Sequence, residues 1–309
     1  MKVFLCEFIH SEARKYLEMN AEIISDWNKI NEVDAIINRN LQITKETMDK
    51  AKNLKVIAIH GTGIDGVDMD EAKKRGIHVF STPHQNADSV AELIVGLTLS
   101  LTRKISLAGK LIGEGNKIDN APSELKGIEL RQKTFGLIGV GDIAIRAAKI
   151  MKYGFGMNVI GYSRSLTKEK AKELEIEYCS SIEEVLRSSD IVNIGVPLNN
   201  STVNMINNEK IKLMKKTAYL INTSRGKVVD EKALYNALKN KHIAGAACDV
   251  FVTEPPTLDN PLLSLNNFVA TPHIGANTDE ALYRVGMAVV KGILEKVWYI
   301  FEIIQDTFT

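Results

Sequence analysis

The chain has 309 residues, long for one globular core and comfortable for two. Hydrophobic residues make up 45% and charged residues 25%, which excludes a disordered or collagen-like chain. The formal net charge of +1 leaves no basic surplus to neutralise phosphates, so neither a nucleic acid nor a membrane surface is an expected partner.

The opening run, Met1-Lys2-Val3-Phe4-Leu5-Cys6, stops at Glu7. It is too short for the apolar region of a signal peptide and reads as a first strand. Further runs that read as strands cover 35–38, 56–59, 134–138, 159–162, 191–196, 218–222, 244–249 and 269–271, the first at 3–6. Several are apolar almost throughout, as strands buried on both faces are. Helical periodicity falls between most of them, at 88–102, 144–152, 182–187, 231–239 and 279–298. This alternation predicts parallel sheets with right-handed crossovers.

The strands form two sets, about 1–81 and about 133–274, separated by the helix near 87–104 and a polar stretch at 113–120 that reads as a loop. No window reaches the roughly 18 apolar residues of a membrane span. The apolar stretch 285–304 is interrupted by Lys291, Glu295, Lys296 and Glu302 and reads as an amphipathic helix. Cys6, Cys179 and Cys248 are far apart and form no C-x-x-C pair. They read as reduced, buried thiols of a cytoplasmic protein. No metal site is expected.

Thr134-Phe-Gly-Leu-Ile-Gly139-Val-Gly141-Asp-Ile-Ala144 is G-x-G-x-x-A directly after a strand and opening a helix. Gly139 permits a tight turn, Gly141 leaves room for a pyrophosphate against bare backbone, and Ala144 allows close helix–strand packing. The unpaired N–H groups of the helix start suit the phosphates. Asp142 sits awkwardly for an anion site and reads as the cap of that helix.

The next strand ends in Tyr162-Ser163-Arg164-Ser165. A site selective for NAD has a carboxylate about here to hold the ribose 2′-hydroxyl. Ser163 and Arg164 instead suit a 2′-phosphate, which a guanidinium binds bidentately. That favours NADP slightly; a solvated Arg164 beside bound NAD is the alternative.

Three further segments follow strands: Asn222-Thr223-Ser224-Arg225-Gly226, Asp249-Val-Phe-Val-Thr-Glu254-Pro-Pro256, and Thr271-Pro-His273-Ile-Gly275. The carboxyl ends of parallel strands are where open α/β sheets bind ligands. Reduction of a keto acid needs a cation to hold the substrate, a proton donor that titrates near neutrality, and a carboxylate to orient it. Taken singly, a histidine or an arginine here is most often structural. Their joint placement points to catalysis.

Together these motifs resemble the D-isomer-specific 2-hydroxyacid dehydrogenases, in particular the phosphoglycerate dehydrogenase and hydroxypyruvate/glyoxylate reductase branch. The resemblance covers about residues 30–295 and includes His60-Gly-Thr-Gly-Ile-Asp-Gly-Val-Asp68, Thr82-Pro-His-Gln-Asn86 with Ser89-Val-Ala-Glu92, and Val196-Pro-Leu198 with Thr202. It implies two flavodoxin-like or Rossmann-like doubly wound domains with a cleft between them. The substrate-binding domain would be split, 1–98 with 284–309, around a dinucleotide-binding domain at 99–283. The expected assembly is a homodimer.

The resemblance further implies that His273 is the acid/base, Glu254 its partner and Arg225 the group on the substrate's carboxylate and carbonyl. Backbone N–H groups of Thr62 and Gly63 would grip the substrate carboxylate. Gly139, Gly141, Asp142, Ile143, Ser163, Arg164, Pro197, Thr202, Thr223, Asp249 and Gly275 would hold NADP or NAD, with Asp249 on the nicotinamide carboxamide. The substrate would be a small 2-keto or 2-hydroxy acid such as hydroxypyruvate, glyoxylate or a phosphoglycerate-type acid. A phosphorylated one would want basic groups near Thr62, where His60 is the candidate. No regulatory domain after the last helix is expected.

Three departures stand out: the Ser163–Arg164 pair, Gly195 where many members have histidine, and the C-terminal run 298–309, which either covers the substrate domain or promotes association. Two other functions compete. A dinucleotide-sensing regulatory protein would use the same fold with little turnover. A formate dehydrogenase would carry glutamine where Glu254 stands.

Overall fold

A strand with no polar face needs helices on both sides of its sheet, and the nearly continuous apolar runs of this chain have that arrangement. In the computed structural model the described residues are 1–115, 120 and 122–306, with side chains described to residue 296. The chain divides into two compact units, Met1–Asn86 with Ala276–Thr309, and Ala87–Gly275.

The first unit contains β1 (Lys2–Leu5), β2 (Glu22–Ile24), β3 (Ala35–Asn38), β4 (Val56–Ile59) and β5 (His78–Ser81). They pair in parallel in the order β2-β1-β3-β4-β5, the flavodoxin-like order. One face is covered by helix Ser11–Glu18 and the terminal helix, Asp279–Asp306, whose Val285, Val289, Val290 and Ile293 pack among Val3, Leu5, Ala35, Ile37 and Val56. The other face buries Phe4, Ile36, Ile57, Ile59 and Met48.

The second unit contains β6 (Thr134–Ile138), β7 (Asn158–Tyr162), β8 (Glu177–Tyr178), β9 (Ile191–Ile194), β10 (Tyr219–Asn222), β11 (Gly245–Cys248) and β12 (Phe268–Ala270). All pairs are parallel, in the order β12-β11-β10-β9-β6-β7-β8. This is the Rossmann order with one added strand. The order reverses between β6 and β9, so the crevice beyond their carboxyl ends is where this topology admits a ligand.

The divisions expected at 98/99 and 283/284 differ from those of the compact units, which meet at 86/87 and 275/276. The whole helix Ala87–Thr102 therefore belongs to the second unit. Its Val90, Ala91, Ile94, Leu97 and Leu101 lie in one core with Ala144, Ala147 and Leu137.

Other boundaries differ as well. The strand expected over 191–196 ends at Ile194, and the helix expected from 144 starts at Asp142, ends at Lys149 and passes into a π turn, Ile150–Gly154. Helix Ile105–Gly113 was not expected and takes the first residue of the polar loop. Residues 116–119 of that loop, and the side chains of the tail 298–309, lie outside the described residues.

Candidate active site

At the β6–β9 switch point the chain turns tightly. Gly139 has φ +94°, and a Cβ there would lie 2.6 Å from the carbonyl carbon of Gly195 and 2.9 Å from Val196 Cγ1. Only glycine takes that conformation at that approach. A Cβ at Gly141 would meet nothing within 4 Å, so its backbone faces open space. Ala144 is buried, and its Cβ lies 3.6 Å from where a Cβ of Gly195 would be. Gly195 N–H donates to Ile138 and Gly139 N–H to Tyr162, locking the turn between its neighbouring strands.

A cleft of about 660 Å³ opens here, lined by Gly139–Gly141, Tyr162–Ser165, Pro197 and Lys210 among others. That size suits a cofactor-like ligand. Of the residues expected to hold a dinucleotide, Gly139, Gly141, Ser163, Arg164, Pro197 and Thr202 line it, while Asp142, Ile143, Thr223, Asp249 and Gly275 do not. The exposed Arg164 has no carboxylate in ion-pair range among the described residues. Thr202 Oγ closes its own loop, donating to Pro197 O at 2.7 Å and accepting from Asn199 N at 2.8 Å.

Asp142 is corrected by the structure. The helix cap is Gly141, and Asp142 is the first helical residue, accepting from Arg146 Nε four residues on at 3.1 Å. Lys210, which reaches the cleft from another helix and pairs with Glu183, was not anticipated. No strand-end signal marks it.

The arginine, glutamate and histidine come together. His273 Nδ1 lies 2.7 Å from Glu254 Oε2. Phe251 N donates to Glu254 Oε1 at 3.0 Å, fixing the carboxylate's other oxygen. Burial acts to raise the Glu254 carboxyl, but the hydrogen bond and charge of His273, the Phe251 N–H and the charge of Arg225 outweigh it and hold it below the ordinary glutamate value. Glu254 is thus ionised at neutral pH and can only accept, so Nδ1 of His273 carries the proton. Arg225 is set by its own loop: Asn222 Nδ2 donates to Arg225 O at 3.0 Å, and Asn222 Oδ1 accepts from Ser224 N and Oγ. At the next residue, Gly226, any Cβ would collide with the backbone of Phe251, so the arginine loop packs directly on the loop that carries Glu254.

Asp249 is buried at the end of β11 and engaged by the histidine loop. Its Oδ1 accepts from Thr271 Oγ1 at 2.6 Å and Ile274 N at 2.8 Å, and its Oδ2 from Gly275 N at 2.8 Å. Gly275 O in turn accepts from Ser89 Oγ at 2.7 Å.

In the first unit, Thr62 and Gly63 follow β4 in an exposed turn, with Thr62 Oγ1 donating to Asn86 Oδ1 at 3.3 Å. His60 is buried and cannot serve as a cation there. Burial and the charge of Arg39 push its pKa down to about 4, and its Nε2 has no partner among the described residues. Arg39, directly after the adjacent β3 and 4.9 Å over the Phe8 ring, supplies that neighbouring charge.

These features define a two-unit α/β protein with a dinucleotide-type turn and an Arg–Glu–His cluster in its second unit. Residues 95–275 match the family described as D-isomer specific 2-hydroxyacid dehydrogenase, NAD binding domain. A D-3-phosphoglycerate dehydrogenase of Methanocaldococcus jannaschii is 39% identical over 302 residues, 95% of this chain but 57% of the relative, so the chain spans little more than half that relative's length. A hydroxypyruvate reductase of Thermotoga maritima is 41% identical over 87% of this chain and 86% of its own. The crystal structure of an NADPH-dependent glyoxylate/hydroxypyruvate reductase from Sinorhizobium meliloti, in complex with NADP and malonate, superposes with a TM-score of 0.85 at 27% identity over 96% of this chain and 93% of that one. The chain belongs to the D-isomer specific 2-hydroxyacid dehydrogenase family.

Proposed function

We propose that this protein is an NAD(P)-dependent oxidoreductase that reduces small 2-keto acids of the hydroxypyruvate and glyoxylate type to D-2-hydroxy acids, with NADPH preferred. The observation that carries this reading is the Glu254–His273 pair beside Arg225, built on the strand ends of the same unit that holds the glycine turn.

The open backbone at Gly141 and the cleft beyond β6 fit a dinucleotide. Gly139–Gly141 and the helix start would take the pyrophosphate, and Ser163 and Arg164 the adenosine ribose with its 2′-phosphate. The bound nicotinamide supplies the hydride. Arg225 holds the substrate's carboxylate and polarises its carbonyl. His273, its Nδ1–H donated to Glu254, protonates the developing alkoxide from Nε2, and Glu254 stabilises the imidazolium before transfer. The names of the Thermotoga and Sinorhizobium proteins support hydroxypyruvate and glyoxylate as substrates. A neutral His60 gives no support to a phosphate beside Thr62.

Oxidation of NADPH and NADH, side by side, against hydroxypyruvate, glyoxylate, pyruvate and phosphohydroxypyruvate tests the reaction and its preference. Cofactor binding without oxidation of any of them would replace this reading with a dinucleotide-sensing role. His273→Gln is expected to lose most of kcat and keep cofactor affinity. Arg164→Asp is expected to shift the ratio of kcat/KM values towards NADH; an unchanged ratio would show that Arg164 does not read the 2′-phosphate.

We also propose a cytoplasmic homodimer. Helix Ile105–Gly113 has no buried residue, and it exposes Ile105 (57%) and Ile112 (67%). A second copy would cover that face. Light scattering should give a dimer mass for the native chain and a monomer mass for an Ile105→Asp, Ile112→Asp double variant.

A further inference from the structure

His273 has φ +56°, a left-handed backbone that is unfavourable for a residue with a Cβ. Such a conformation persists where its surroundings over-determine it. One residue supplies most of that determination. Asp249 takes Thr271 Oγ1 and Ile274 N on one carboxylate oxygen and Gly275 N on the other, and its main-chain carbonyl takes His273 N at 2.7 Å. The donors lie on both sides of His273 in the chain, so the loop is gripped before and after the imidazole. Asp249 is itself anchored, its N–H donating to Asn222 O at 3.0 Å. Asn222 is the residue that also fixes Arg225.

We infer that Asp249 is a positioning residue, whose carboxylate latches the 271–275 loop and thereby sets His273 in register with Glu254. This rests on the reading of His273 as the acid/base. It differs from the sequence expectation that Asp249 holds the nicotinamide carboxamide. A carboxylate offers about four acceptor directions, and three are taken by the loop. The site is 1% exposed, and burial pushes the Asp249 carboxyl up against the opposing pull of its three donors and of the His273 charge. An unlatched carboxylate would be costly there, which ties the group to its loop.

The latch and a carboxamide contact have opposite signatures. Asp249→Asn places an NH₂ where an oxygen accepted, so one donor of the loop faces another donor. Thr271→Val removes a single donor and leaves Asp249 intact, which covers the case in which the first variant folds poorly. Both are compared with the native chain and with His273→Gln by melting temperature, by Kd for NADPH and by kcat and KM with hydroxypyruvate. Proton NMR of ¹⁵N-histidine-labelled protein reads the His273 Nδ1–H signal, identified by its absence in His273→Gln. The expected result is a fall in kcat of about a hundredfold for Asp249→Asn and about fivefold for Thr271→Val, with Kd for NADPH unchanged and the Nδ1–H signal lost or broadened. A raised Kd with native kcat would overturn the latch in favour of the carboxamide contact. An intact Nδ1–H signal in a folded Asp249→Asn protein would overturn it outright. The NMR reading needs no turnover. If His273→Gln proves fully active, the catalytic assignment fails, and the NMR signal still decides whether Asp249 holds the loop.

Discussion

His60 shows how burial can reverse what a residue type promises. As a histidine near a substrate loop it reads as a positive group; inside the first unit, with Arg39 nearby, its pKa is about 4. A depressed histidine stabilises the native state above its unfolded pKa near 6.5, and that stability is lost as pH falls towards the folded value. Between pH 7 and pH 4 this single group is expected to remove about 3 kcal/mol from the unfolding free energy. Urea titrations at the two pH values should show that loss, and a His60→Leu variant should be less acid-sensitive by a similar amount. Equal sensitivity in both proteins would mean that His60 is solvated when the chain is folded. Other roles were readable from the chain alone, because Arg225, Glu254 and His273 each follow an apolar strand and so reach the same rim. The bonds of Asp249 were not readable, since their donors come 22 to 26 residues further along the chain.

At the scale of elements, legibility followed burial. β3, β4 and β6 are buried nearly throughout and stand out as apolar runs. The missed strands are β2, β5 and β8, all at sheet edges. β2 and β8 have three and two residues, each including a glutamate, which leaves too little pattern to detect. Helix Ile105–Gly113 escaped for a related reason: its apolar residues are not gathered on a buried face, so its period does not report on a core. Contact between elements leads to a sharper expectation at Gly136 in the middle of β6. A Cβ there would run into Ser189 Oγ and lie 2.8 Å from Val185 Cγ1, on the helix Ile182–Ser188 and its cap. Gly136→Ala should cost about 1–3 kcal/mol by overpacking. Combining it with Ser189→Gly should cost less than the sum of the two single changes. Calorimetric melting of the four proteins in that cycle measures this, and strict additivity would show that the helix moves aside freely.

At the scale of the whole molecule, a cofactor held by one unit should protect that unit first. At NADPH concentrations about 100 times Kd, the native state should gain about 2.7 kcal/mol. Hydrogen exchange should place the largest slowing within 87–275, around the glycine turn and the strand ends. Slowing confined to the first unit would contradict the assignment of the β6–β9 crevice. The same division has a consequence for how the chain is made. The first five strands leave the ribosome before any part of the second unit, yet the terminal helix that covers one face of their sheet begins at Asp279. The unit encoded in the middle can complete its core while the one encoded first still waits, its Val3, Leu5, Ile37 and Val56 uncovered on the side that Val285, Val289 and Ile293 later close. Strands made well before the helix that seals them are therefore among the last to be covered, and during that interval they are the surface that a chaperone would need to shield.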